Sequence, residues 1–232
     1  MRKMKNLLII SLTIIVLGFS SCEKDELTLP AEVNFEFLME PYQKDVTTKS
    51  MNSFNLDEGT IDINSLEFDG RRSQGEDYYF TKHFDDALHA ELHTGLKNQE
   101  VTFDIPQGVY NRIDLNLSIG TEENNAIRLQ GTFQQGPFDE IPVVFEDSFT
   151  VNVRIRARNK EGNEQIVLKK DTPSIATVVL DVPFLFQLVN IGMFQLAETT
   201  PIDDQDVILI NIEKNTDIFN LLATRLEKSM RV

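Results

Sequence analysis

Ile113-Asp114-Leu115-Asn116-Leu117-Ser118-Ile119 alternates apolar and polar residues without a break. Successive side chains of a strand point to opposite faces. This run therefore puts four aliphatic residues on one face and Asp114, Asn116 and Ser118 on the other, the pattern of a half-buried strand. Just upstream, Pro106-Gln107-Gly108 is a turn signal, and Gly120 to Asn125 (Gly-Thr-Glu-Glu-Asn-Asn) is another downstream.

The same period recurs along the chain. Val33, Phe35, Phe37 and Met39 form a first strand, and Ile61 and Ile63 alternate with polar neighbours. Leu66 and Phe68 follow, before Gly70-Arg71-Arg72, which reads as a turn. Tyr78-Tyr79-Phe80 opens another strand, and Val101, Phe103 and Ile105 alternate up to Pro106. Later runs are Ile127 and Leu129; Phe149, Val151, Val153 and Ile155; Ile166 to Leu168; Ile175 to Leu180; and Val207 to Ile212. Many short strands with one polar face and turn clusters between them predict a mainly β body, an antiparallel β-sandwich of Ig-like or transthyretin-like kind.

Two segments carry helix signals. Asp181-Val182-Pro183 precedes the apolar run Phe184 to Val189, with a core strand as the alternative reading. Near the C-terminus, Asn215 or Thr216 can cap a helix, Asp217 falls in its first turn, and Arg225, Lys228 and Arg231 lie near its end. Ile218, Leu221, Leu222 and Leu226 share one face, which Arg225 and Ser229 interrupt. An amphipathic helix packed on the sandwich is expected, with a partner-binding helix as the sharper alternative. Residues 41–57 are polar enough to read as a loop, and 134–141 is the one place where the body could divide.

The N-terminus has a different character. Arg2, Lys3 and Lys5 precede an apolar stretch from Leu7 to Phe19, then Ser20-Ser21-Cys22. A basic start, a short apolar stretch and small residues at the exit predict a signal peptide over residues 1–21. The apolar stretch is shorter than the roughly 20 residues a membrane-spanning helix needs. Phe19-Ser20-Ser21-Cys22 resembles the lipobox of bacterial lipoproteins, with Phe19 where that family has Leu. The resemblance implies cleavage before Cys22 and acylation of its thiol and new amine, and two or more chains hold a protein firmly to a bilayer. Glu23, Lys24, Asp25 and Glu26 resemble the export signal of Bacteroidetes surface lipoproteins, and 22–31 reads as an acidic tether ahead of a body spanning 32–232.

Three stretches of the body resemble uncharacterised Bacteroidetes lipoproteins with a β-sandwich domain: Val101 to Ile113, Val179 to Phe184, and Asn215 to Asn220. The Pro106-x-Gly108-x-Tyr110 step within the first also occurs in fimbrillin-like and transthyretin-like sandwiches. The resemblance implies a fold and a location and transfers no site residues.

Composition narrows the function. The 232-residue chain carries a net charge of −15, and removing residues 1–21 takes away three further positive charges. With no basic stripe, nucleic acid is not an expected partner. Cys22 is the single cysteine, so no disulfide staples the body. Nucleophile elbows, His-Glu-x-x-His, phosphate loops and dinucleotide glycines do not occur, and neither a catalytic residue nor a cofactor is expected.

All three histidines fall between His83 and His93. On a strand, His89, Glu91 and His93 share one face, a donor set suited to zinc or nickel, with an ordinary solvated face as the alternative. Asp203, Asp204 and Asp206 form an acidic knot that reads as a turn before the Val207 strand, with a contribution to a calcium site as the alternative, though the glycine and distal Glu of an EF-hand loop do not occur.

The expectation is a lipid-anchored lipoprotein of the outer membrane, displayed on the cell surface. Its role would be non-catalytic (structural, adhesive or assembly), with the membrane and an envelope or surface protein as partners. The alternatives are ligand capture, of a glycan or a metal, and, third, a hydrolase.

Overall fold

The apolar residues at Phe54 and Leu56, then Ile61 and Ile63, then Leu66 and Phe68 change parity twice, yet they lie on one strand. In the computed structural model, which describes residues 26–45, 52–93, 98–120, 125–137 and 139–232, the chain opens with β1 (Pro30–Met39), β2 (Tyr42–Asp45) and the long β3 (Ser53–Arg72). Relative to the neighbouring strands at Ile127–Gln135 and Gly108–Ile119, register shifts between Leu56 and Glu58 and between Ile63 and Ser65 insert one extra residue each. Each bulge moves the buried set from even to odd positions or back, so the same face stays against the core. The predicted turn at Gly70-Arg71-Arg72 is corrected by this strand, which continues through Arg72. The predicted loop 41–57 is corrected at both ends, because Tyr42 to Asp45 and Ser53 to Leu56 pair with each other.

The remaining elements follow as β4 (Tyr78–His93), β5 (Asn98–Pro106), β6 (Gly108–Ile119), β7 (Ile127–Gln135), β8 (Asp139–Asp147), β9 (Val151–Arg156), β10 (Ile166–Leu168) and β11 (Ser174–Leu180). Then come α1 (Val182–Leu185), α2 (Ile191–Leu196), β12 (Thr200–Ile202), β13 (Gln205–Ile210), α3 (Thr216–Leu226) and β14 (Met230–Arg231). Two sheets result among the described residues. One is four-stranded in the order β14-β11-β1-β5; the other is ten-stranded and built around β3. Along one edge β3 pairs first with β7 and then with β6; along the other it pairs with β2 and then β4. This is the two-layer arrangement of a β-sandwich.

The sheets are mixed, which corrects the antiparallel expectation: β1 runs parallel to β11, and β8 parallel to β13. Strands that join through long stretches of intervening chain are free to meet in either direction, and alternation along one strand carries no information about its partner's direction. The possible division near 134–141 falls in the connection between β7 and β8, which pair along their whole lengths. One core of buried side chains runs from Val33 and Phe35 through Phe54, Ile63 and Leu115 to Leu222.

The Pro106-Gln107-Gly108 signal is a corner between sheets, since β5 pairs with β1 and β6 with β3. Gly108 has φ +147, a conformation that L side chains rarely adopt. Tyr110, fully buried, donates its hydroxyl to the Pro106 carbonyl at 2.7 Å and so braces the corner. Asp203 and Asp204 both have positive φ (49° and 63°) and form the two-residue hairpin turn between β12 and β13.

The helices cap the other end of the core. The Asp181 carboxylate accepts from Phe184 N at 2.8 Å to start α1, and Phe194 of α2 stacks on Phe54 with ring centroids 4.4 Å apart. On α3, Ile218, Phe219, Leu222 and Leu226 are buried. Asn215 precedes this helix in the left-handed conformation but does not cap it with its side chain. Its amide instead donates to the carbonyls of Leu209 and Glu198. Arg225, which interrupts the apolar stripe, donates to Phe184 O at 2.9 Å and to Gln187 Oε1 at 2.7 Å while lying over the Phe184 ring.

Candidate functional site

Three features stand out where the chain enters the sandwich. The first is a clamp on the segment before β1. Arg72, at the end of β3, donates from Nη2 to Leu27 O at 2.7 Å and to Gln107 O at 2.6 Å. Gln107 adds a side-chain bond to Glu26 O and a backbone bond to Leu29 O. Ala31 is fully buried. Residues 26–31, expected to belong to a tether, are thus part of the folded body, which corrects the predicted boundary at residue 32. The physical cause is simple: a polar segment can be docked through its backbone carbonyls, whose availability its side chains do not advertise. Glu26 is exposed; Cys22, Glu23, Lys24 and Asp25 lie outside the described residues.

The second feature is a cavity of about 390 Å³ between the two sheets. Phe35, Ile105 and Ala176 line it from the smaller sheet, and Phe68, Leu115 and Leu168 from the larger. The titratable side chains on its wall are Arg158 and Lys160, in the connection from β9 to β10. Ile175, 56 % exposed, sits on its rim. No pattern in the sequence signals this space, because its walls read as ordinary core positions of separate strands.

The third is a charge network on the outer face of β6 and β9. Asp114, expected on a solvated face, is only 1 % exposed. Arg154 Nη2 lies 2.8 Å from its Oδ2, Arg112 Nε 3.3 Å from the same oxygen, and Arg156 Nε holds Oδ1. Burial by itself raises the pKa of this carboxyl. The hydrogen bonds from Arg156 and Arg154, with their charges, more than offset that and hold it below the usual range. Arg156 and Arg158 continue the network to Glu164. Its members come from β6, β9 and the following loop, and a buried carboxylate so surrounded is satisfied.

The histidine cluster lies on β4. Leu88, Ala90 and Leu92 face inward, while His89 and Glu91 face outward, as strand alternation predicts. His89 Nδ1 is 2.6 Å from Asp62 Oδ1 on β3. The side chain of His93 lies outside the described residues. Among the described residues no group of three His, Cys, Asp or Glu is arranged to hold a metal ion, and no helix is long and apolar enough to cross a membrane.

Comparison with protein-family models, with curated proteins and with solved structures finds no match. The functional reading therefore stands on the residues alone.

Proposed function

We propose that this chain is a lipid-anchored cell-envelope protein, attached through acylated Cys22 to the outer membrane and displayed on the cell surface. In this reading Glu23, Lys24, Asp25 and Glu26 supply the export signal. Its role is non-catalytic, structural or adhesive, in assembly with an envelope or surface protein. The body is a sandwich of Ig-like or transthyretin-like kind, closed at one end by the C-terminal helix.

One observation supports the reading beyond the lipobox itself. The clamp at Arg72 and Gln107 engages Glu26 and Leu27, and the four peptide steps from Cys22 to Glu26 span at most about 14 Å. An anchor at Cys22 would hold this corner of the sandwich next to the bilayer and leave the helix-capped end pointing away, which suits presentation to a partner.

Two measurements test it. In cells fed radioactive palmitate, the wild-type chain should take up label and a Cys22→Ala chain should not. Protease added to intact cells should then digest the body. Label that persists in the variant removes the anchor, whereas digestion only after lysis places the body inside the envelope.

A second reading, ligand capture, is favoured by the cavity between the sheets. Its apolar walls point away from glycan or metal as the captured ligand.

A further inference from the structure

We propose that the inter-sheet cavity binds a single acyl chain carrying an acidic head group, the chemistry of a fatty acid. Binding would place the chain between the sheets and the head at Lys160. This role is additional to the anchor and does not depend on it.

The space of about 390 Å³ opens to solvent at a rim of Arg158, Lys160 and Ile175 and narrows inward to a floor of buried Phe35, Phe68, Ile105 and Leu115. It falls within the range of small-molecule sites, which hold roughly 300–1,000 Å³ and are mainly apolar with a few placed polar groups. At about 30 Å³ for a water-sized group, it has room for on the order of a dozen methylenes. A long, narrow, apolar ligand fits such a slot between two layers. A sugar does not, since its hydroxyls would find hydrogen-bonding groups only at the mouth.

The mouth supplies the head-group preference. The chain has 37 acidic and 22 basic side chains, yet among the described residues no Asp or Glu lines the cavity and the charged side chains there, Arg158 and Lys160, are cations. Arg158 is engaged by Glu164 at 3.2 Å and by Gly162 O at 2.9 Å. Lys160 is exposed and enters no ion pair among the described residues. It is the cation free to meet an incoming carboxylate, whereas the Asn159 side chain beside it is already bonded to Gln165 O, Glu161 N and Asn163 N. Ile175 offers an exposed apolar lip on the opposite wall. Neighbouring Val167, 51 % exposed on the same short strand as two wall residues, does not line the cavity and provides a control position.

The experiment uses the full-length chain carrying Cys22→Ala, so that no lipid of its own competes. Binding is read from the fluorescence of 11-(dansylamino)undecanoic acid, and saturated fatty acids of 8 to 16 carbons displace it. Affinity should rise about fourfold per added methylene and level off near the length the cavity accommodates. Lys160→Glu should weaken binding of the acids at least tenfold and leave their methyl esters unaffected. Ala176→Phe, which fills the slot, should abolish binding with the melting temperature retained, and Val167→Phe should bind as wild type. No fluorescence rise with the parent chain overturns the assignment. So does displacement that ignores chain length, or binding that survives Ala176→Phe. Methyl esters that bind as tightly as acids overturn the role of Lys160. Because the chain tested lacks Cys22, none of these outcomes bears on the anchor, which palmitate labelling decides separately.

Discussion

Replacing Asp114 by Asn removes one buried negative charge and little else. The side chain keeps its shape, but Arg112, Arg154 and Arg156 then face a neutral amide whose NH2 group can only repel them. Breaking a fully buried ion pair costs about 3–5 kcal/mol. Here the three arginine side chains are 34, 60 and 36 % exposed, so water takes over some of their solvation and about 2–3 kcal/mol is expected. For a domain of this size each kcal/mol moves the melting temperature by roughly 2–4 °C, so the variant should melt roughly 4–12 °C lower at pH 7.

The pH dependence sharpens the test. The folded-state pKa of Asp114 lies below the ordinary value. Its stabilisation is therefore complete above the unfolded value near 3.9 and disappears as pH falls through the depressed folded value. Urea unfolding of both chains from pH 7 down to pH 3 should show a constant gap that narrows below about pH 4. A loss under about 0.5 kcal/mol at neutral pH, or a gap that stays the same in acid, would refute the claim that this carboxylate organises the arginines.

Asp147 is the opposite case. Among the described residues it is buried with no cation paired to it, and burial raises its pKa against one hydrogen bond from Phe149 N. Its raised folded value means the charged form weakens the fold as pH rises, so Asp147→Asn should leave thermal stability at pH 7 unchanged or raise it by up to about 1 kcal/mol. Burial likewise pushes Tyr110 up to about 12, and Tyr110→Phe, which leaves the Pro106 carbonyl without its donor, should cost about 1 kcal/mol in urea unfolding. At Gly131 a β-carbon would collide with the backbone carbonyl of Asn55 on β3. Gly131→Ala should therefore force the paired strands β3 and β7 apart and cost about 1–3 kcal/mol or more, with amide exchange accelerated along Ser53 to Leu56.

Much of this molecule was legible one strand at a time. The runs at Val33 to Met39 and Ile113 to Ile119 are strands with the expected apolar faces inward, because a period of two is a local property of the backbone, and Ile175 to Leu180 is a strand as expected. The outward position of His89 and Glu91 follows from the same rule. Failures came where a side chain answers to a neighbour distant in sequence. Asp114 reads as a solvated residue, and its burial depends on arginines some forty positions later on β9. Asn215 has the composition of a helix cap, yet its amide is taken by two carbonyls outside the helix. Phe54 and Leu56 were hidden in a polar stretch because a bulge resets the parity between them and Ile61.

By itself the sequence determined the β character of the body, most strand faces, the corner at Pro106–Tyr110 and the resemblance at Cys22, each carried by residues adjacent in the chain. Only the tertiary structure decided that two strand pairs run parallel, that Arg72 fastens the entering segment, and that the two sheets leave a space between them. These depend on which strands meet across the fold, and pairing is settled by the packing of the whole core, not by any one run of residues.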